Sequence, residues 1–128
     1  MILNGFIIQA QITYLPGISK DHIINRKGWG NGYVIIPKDH IFFEKNTHYI
    51  NQYVSVHGGL TYDGYDTDWV DFKIDSGYEP EGNWVVGFDT NHVWDNEKDH
   101  DKEYVINEVT NLIAQLNKYL LTTDNLEL

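Results

Sequence analysis

Cysteine is absent from this chain of 128 residues, and its absence removes several chemistries together. No disulfide forms, no thiolate binds a metal ion, and no thiol serves as a nucleophile. The sequence also lacks an apolar run of transmembrane length, and its start, MILNGFIIQAQITY, lacks the basic segment that opens a secretory signal. We therefore expect a cytosolic protein of a reducing compartment that makes no contact with a membrane.

The common catalytic signatures are missing as well. The sequence contains no G-x-S-x-G elbow, no Walker loop, no Rossmann fingerprint and no H-E-x-x-H zinc motif. Acyl transfer, NTP hydrolysis and dinucleotide binding therefore lack their usual parts, and any site has to be found from less specific patterns.

Basic residues are scarce and unevenly placed. Nine Lys and Arg stand against 19 Asp and Glu, a formal net charge of -10, which repels the phosphates of duplex nucleic acid. Residues 1–50 hold five basic and three acidic residues, whereas residues 51–128 hold four and sixteen. A small anionic ligand can still meet a basic pocket built from the first part. The acidic second part suits a solvated surface, or a face that mimics nucleic acid or docks onto a basic host protein.

Short apolar segments predict a sheet of five or six strands. They are rich in β-branched residues or alternate with polar ones, and glycine, proline or Asp-Gly pairs end most of them. We expect an Asp-Gly turn at 63–64 and a turn of helix near 47–50. The predicted strands cover residues 6–14, 33–37, 53–57, the segment LTYDGYD around that turn, 68–74 and 84–89.

The end of the chain has the pattern of an amphipathic helix. From Asp101 onward, Val105, Val109, Leu112 and Leu116 recur at spacings of three and four residues. Such a helix needs an apolar surface to cover, and the predicted sheet offers one. We expect a single α+β domain over residues 1–121, with a twisted, mostly antiparallel sheet, the helix packed on one face, and a frayed tail at 122–128.

The stretch WVVGFDTNHVWD, residues 84–95, carries the main candidate site. Asp89, His92 and Asp95 follow a buried strand with the spacing D-x-x-H-x-x-D, and His57 ends the alternating segment YVSVH in a similar way. If the two strands are neighbours, these groups line one polar pocket. They suit Zn²⁺, Mn²⁺ or Fe²⁺, or a His/Asp general base, while turn capping by Asp and a single loop hydrogen bond from His are the structural alternatives.

Aromatic and basic residues extend this candidate site. Trp29, Tyr62 and Trp94 lie near glycines or the candidate polar residues and suit stacking on a planar base, although core packing is the commoner use of an aromatic side chain. The amides of Gly58 and Gly59, with Arg26 or Lys38, suit a phosphate group. The other histidines, His22, His40, His48 and His100, are expected to lie in loops or on the surface.

Four segments together resemble a known group of proteins: GYVIIPKDH (32–40), VHGGLTY (56–62), WVVGFDTNH (84–92) and KEYVINEVTNLIAQL (102–116). They are similar to a widespread group of small, mostly uncharacterised bacteriophage and prophage proteins, over about residues 30–118. This chain departs from that pattern at Asn91 and Val93-Trp94, where small residues are usual, and at Ile41, where proline is common. The matching residues are His40, His57, Gly58, Gly59, Thr61, Asp89, His92 and Asp95.

The resemblance implies a viral accessory role in the bacterial host cytoplasm but names no activity. Our leading hypothesis is a counter-defence protein that sequesters a nucleotide-derived immune messenger in the His/Asp/aromatic pocket, without a cofactor. The first alternative is a metal-dependent, phosphodiesterase-like hydrolase that uses His57, Asp89, His92 and Asp95. The second alternative is an acidic inhibitor of a host defence protein. We expect a homo-oligomer in each case.

Overall fold

The computed structural model describes residues 3–10, 13–14, 23–24 and 27–119 as a small α+β domain. The strands are β1 (Asn4–Gln9), β2 (Thr13–Tyr14), β3 (Ile23–Ile24), β4 (Gly30–Ile36), β5 (Tyr62–Tyr65) and β6 (Trp84–Asp89). The α-helices are α1 (Thr47–Ile50), α2 (Phe72–Ser76) and α3 (Lys102–Leu116), with 3₁₀ turns at Asp66–Asp68 and Asn117–Tyr119. The predicted tail at 122–128 lies outside the described residues.

The main sheet has four antiparallel strands in the order β1-β4-β6-β5, and β2 and β3 form a separate two-residue ladder. The predicted fold class is confirmed, although the main sheet has fewer strands than the five or six expected. Strand β6 occupies the predicted residues 84–89, and α1 lies at the predicted helical turn.

Apolar side chains cover both faces of the sheet because neighbouring residues of a strand point to opposite sides. Val34 and Ile36 of β4 face the main core with α3, whereas Tyr33 and Ile35 face a second, smaller core. The α3 residues buried in the main core are those of the predicted stripe, Val105, Val109, Leu112 and Leu116. Asp101 caps this helix, since its side chain accepts a hydrogen bond from the amide of Tyr104 at 2.9 Å.

The predicted strand at 53–57 is wrong, although its alternation is real. Val54 and Val56 are buried in the main core and Ser55 is exposed. The backbone of Ser55 bonds to the side chain of Gln115 on α3, which accepts from its amide and donates to its carbonyl, both at 2.7 Å. A helix side chain therefore satisfies the polar groups that a neighbouring strand would otherwise pair.

Two other local predictions are also wrong. The segment predicted as a strand at 68–74 holds the end of a 3₁₀ turn and the start of α2, where Trp69 and Phe72 pack into the second core at a helical spacing. The expected Asp-Gly turn at 63–64 is instead the middle of β5, paired with β6. The first predicted strand, 6–14, is divided between β1 and β2, with residues 11–12 outside the described part.

Candidate functional site

Two loops meet beside the first turns of α3. One loop, residues 57–61, leads into β5, and the other, residues 90–101, connects β6 to α3. The Thr61 hydroxyl donates to the Asp89 carboxylate at 2.8 Å, which ties the first loop to the end of β6. Buried Thr90 anchors the second loop to the start of β4, because its hydroxyl donates to the Gly30 carbonyl at 2.8 Å.

Asp95 is the centre of this site. Its side chain has no exposed surface, and both of its oxygens are in use. Oδ1 lies 2.6 Å from Nε2 of His57 and 3.2 Å from Nδ1 of His100. Oδ2 accepts a hydrogen bond from the backbone amide of His92 at 2.8 Å, and it lies 2.8 Å from Nδ1 of the same residue. Three imidazoles thus surround one buried carboxylate, and we call these four residues the Asp95 cluster.

The Asp95 carboxyl group is charged at neutral pH. Burial alone raises its pKa, but hydrogen bonds from the His92 amide, the His92 ring and His57 outweigh burial and hold the pKa below its usual range. A buried negative charge is stable only beside a positive group or strong donors. The cluster is therefore suited to hold a cation, which is either a protonated imidazole or a metal ion.

The ring of His57 is fixed on both sides. Its Nδ1 lies 2.7 Å from the hydroxyl of Tyr104, and its backbone amide donates to Glu108 at 2.8 Å. Because an ionised carboxylate only accepts, the hydrogen-bond pattern assigns the ring proton to Nε2, where it meets Asp95, and lets Tyr104 donate to Nδ1. The tyrosine hydroxyl can both donate and accept, so Tyr104 can instead accept from Nδ1 if Nε2 gives up its proton.

Sequence reasoning missed His100, which was expected to be a loop or surface residue. One donor atom from each of His57, Asp95 and His100 lies within 4.8 Å of the other two. The sequence held one signal for His100, which directly precedes Asp101, the residue that caps α3. His100 therefore lies at the start of α3, near the loop that carries Asp95. Asp89, by contrast, stands at the edge of the site, 3.9 Å from Nδ1 of His92 and bonded to Thr61 and Asn91.

His92 and Trp94 form a stack on the outer side of the cluster. Their ring centroids lie 4.5 Å apart with an angle of 12° between the planes. Behind His92 lies Gly58, whose φ is +67° and where an added Cβ would come within 2.3 Å of the His92 ring. Gly59 also has a positive φ, +80°, but its added Cβ would lie 3.6 Å from the nearest atom.

The remaining predicted site residues are not gathered around the cluster. Trp29 is close, since its amide donates to the His100 carbonyl at 2.8 Å, but its ring packs against the main core. Tyr62 packs against the second core on the opposite face of the sheet. Lys38 lies over Gly82, beyond the Trp84 end of β6, about 17 Å along the strand from Asp89. Arg26 lies outside the described residues.

His40 has a structural role at the C-terminal end of α3. It is buried, its Nδ1 accepts from the amide of Phe42 at 3.0 Å, and its Nε2 donates to the carbonyl of Leu116 at 2.8 Å. Both bonds together require the neutral ring. Leu116 ends α3, whereas Tyr104 beside the cluster belongs to its first turn, so His40 and His57 contact opposite ends of the helix.

Neutral His40 predicts a dependence of stability on pH. Burial, the largest cause, lowers the pKa of His40 despite the Leu116 carbonyl and the nearby Asp39, which raise it. The unfolded chain therefore takes up a proton at His40 before the folded protein does, and stability falls as the pH drops below about 6.5 toward the folded pKa. Urea denaturation of the wild type and His40→Gln at several pH values should show the stability advantage of the wild type shrinking through this window. A pH-independent difference contradicts the assignment.

Comparison with models of protein families, with curated proteins and with solved structures gave no match. The resemblance to bacteriophage proteins therefore stays a prediction, and the site rests on its own geometry. Among the described residues, no helix is both long and apolar enough to cross a membrane.

Proposed function

We propose that the Asp95 cluster binds one divalent transition-metal ion, of the Zn²⁺ class, and uses it to activate water in a hydrolytic reaction. The observation that carries the proposal is the convergence of His57, Asp95 and His100, each offering one donor atom within 4.8 Å of the others. Imidazole nitrogen and carboxylate oxygen are ordinary ligands of such ions, and three protein ligands with one open position are typical of catalytic zinc.

One of the three distances between ligand atoms already fits this ion, a second needs a small adjustment, and the third, from His57 to His100, lies within 4.8 Å. Metal–ligand bonds of about 2.0–2.2 Å in a tetrahedral site separate neighbouring ligand atoms by about 3.3 Å. His100 and Asp95 already lie 3.2 Å apart, whereas His57 and Asp95 lie 2.6 Å apart, a hydrogen-bond distance. The bound ion would replace the shared proton and widen this gap by about 0.7 Å.

Tyr104 makes that replacement easy. When Nε2 of His57 is free of its proton and binds a metal ion, Nδ1 carries the ring proton. Nδ1 then donates a hydrogen bond to the Tyr104 hydroxyl, 2.7 Å away. Outer hydrogen bonds of this kind orient histidine ligands and strengthen them as donors. The same residue thus satisfies His57 with and without the ion.

His92 completes the proposed chemistry. Its Nδ1 is held by Asp95, and within the described residues no hydrogen bond occupies its Nε2. A metal ion would supply water of lowered pKa, and the role that we propose for the partly exposed His92 is to accept the proton of that water at Nε2. The role that we propose is that of a bacteriophage accessory hydrolase in the host cytoplasm, for which the resemblance is the support.

Sequestration of a nucleotide messenger, the leading hypothesis from sequence, has less geometric support. Of the proposed phosphate-binding side chains, Lys38 is remote and Arg26 lies outside the described residues. Of the proposed stacking residues, Trp29 and Tyr62 pack against the two cores. Only Trp94 keeps the exposed position that this function needs.

Zinc titration of chelator-treated protein tests the proposal. Calorimetry should show one Zn²⁺ per chain, with affinity at least about a hundredfold weaker in His57→Gln and His100→Gln and about 10–100-fold weaker in Tyr104→Phe. His48→Gln, a change to an exposed histidine on α1, is the matched control and should bind like the wild type. Wild-type protein that binds no zinc, or unchanged affinity in His100→Gln, contradicts the proposed site.

Hydrolysis is tested separately. Zinc-loaded protein should cleave an activated phosphodiester such as bis(4-nitrophenyl) phosphate, and chelation or Asp95→Asn should abolish this activity. Tight zinc binding without turnover on activated esters would support the metal site and contradict the hydrolytic activity that we propose.

A further inference from the structure

Trp94 is a large aromatic side chain that the fold does not use in either core. It is 63% exposed, and its neighbour Val93 is 88% exposed. Neither residue belongs to or packs against the main core or the second core. Core packing, the commonest role of a tryptophan, therefore does not explain this one.

One face of the exposed ring is nevertheless supported by the rest of the site. One of its faces stacks on His92, which Asp95 fixes through both a backbone and a ring contact, each at 2.8 Å. His92 packs closely on the backbone of Gly58, since a Cβ added there would lie within 2.3 Å of its ring. Trp94 is thus a preorganised flat surface one imidazole away from the Asp95 cluster, and a preorganised surface binds at a smaller entropic cost.

The surrounding charge limits what this surface can bind. Residues 89–103 contain six acidic residues and two lysines. Asp89, beside His92, keeps 29% of its side chain exposed and presents a carboxylate that only accepts hydrogen bonds. Such surroundings disfavour an anionic ligand and favour a ring that carries N–H donors or a positive charge.

We propose that the outer face of Trp94 binds a planar nitrogen heterocycle that is uncharged or cationic, such as a nucleobase without a phosphate group. The Trp94 ring stacks on the heterocycle, and the acidic residues of this segment favour its N–H groups or its positive charge. We call this surface the ring site; it goes beyond the proposed function, and its physical basis does not depend on a bound metal ion.

Binding of adenosine, AMP and ribose to chelator-treated protein tests the ring site. Calorimetry at low salt should show adenosine binding, no binding of ribose, and weaker binding of AMP than of adenosine. The difference between adenosine and AMP should shrink as salt is added, because the opposing charges lie near the surface. If adenosine does not bind, the ring-site proposal is wrong. If AMP binds more tightly than adenosine, the proposed preference for an uncharged or cationic ligand is wrong.

Variants separate stacking from a general effect on the surface. Trp94→Ala should weaken adenosine binding by about five- to 150-fold, the range expected for loss of one stacked base, whereas Trp94→Phe should retain most of the affinity. Ile74→Ala, a change to an 81% exposed residue on α2, should have no effect. Equal adenosine affinity in Trp94→Ala and the wild type overturns the proposal.

Zinc titration of the same Trp94→Ala protein distinguishes the two proposals. The Trp94 ring stacks on His92, which is not one of the three proposed metal ligands, so zinc affinity should equal that of the wild type. Loss of adenosine binding with retained zinc binding supports both proposals. Unchanged adenosine binding with retained zinc binding removes the ring site and leaves the metal site standing.

Discussion

Replacing Asp95 with alanine should lower the free energy of unfolding of metal-free protein by about 3–5 kcal/mol, one of the two largest effects that we expect. The carboxylate is fully buried and contacts three imidazoles and the His92 amide. Its loss leaves buried donors on His57 and His92 without an acceptor, and each costs about 1–3 kcal/mol. Urea denaturation in the presence of a chelator measures the change without a contribution from bound metal.

Asp89→Ala is the matched control for this prediction. Asp89 also accepts two hydrogen bonds in the same region, from the Thr61 hydroxyl and the Asn91 amide, but its side chain is 29% exposed. Water can replace the lost acceptor there, so we expect a loss of about 1 kcal/mol or less. Similar losses for the two aspartates would contradict the central role of Asp95.

Gly58→Ala should cause the second large loss of unfolding free energy. A Cβ at this position meets the His92 ring at 2.3 Å, and His92 is also held by Asp95 and Trp94. The variant must also adopt a φ of +67°, which is unfavourable for alanine. Left-handed strain and the displaced ring together should cost about 2–4 kcal/mol of unfolding free energy.

Gly59→Ala separates the two causes. Its φ of +80° imposes the same kind of backbone strain, but its Cβ would lie at an ordinary contact distance of 3.6 Å from Asn51. We expect a loss of about 1–2 kcal/mol from strain alone. If Gly59→Ala is as damaging as Gly58→Ala, close packing of His92 on Gly58 is not what the site requires.

The elements that the sequence predicted well are those whose side chains pack on a continuous apolar surface. The three- and four-residue spacing of Val105, Val109, Leu112 and Leu116 identified α3, and the run WVVGF identified β6. The segment 53–57 has the alternation of a strand, but its backbone partner is a side chain 60 residues away, Gln115. Periodicity reports which side chains are buried and does not report what the backbone bonds to.

The site was partly predictable for a similar reason. Asp89, His92 and Asp95 lie close in sequence to the end of a buried strand, so their proximity follows from local spacing. The inclusion of His100 and Tyr104 depends on how α3 returns across the sheet, and the exclusion of Tyr62 depends on which face of β5 it occupies. These are properties of tertiary packing, which no local pattern encodes.

Diffraction at the zinc absorption edge, from crystals of the protein soaked with Zn²⁺, is the decisive test of the metal site. We expect one strong anomalous peak about 2.0–2.2 Å from Nε2 of His57, from Oδ1 of Asp95 and from a ring nitrogen of His100, with His57 and Asp95 moved apart from their present 2.6 Å. A map without a peak at these residues, with the His57–Asp95 hydrogen bond intact, would contradict it and leave the Asp95 cluster as a structural anchor of the two loops.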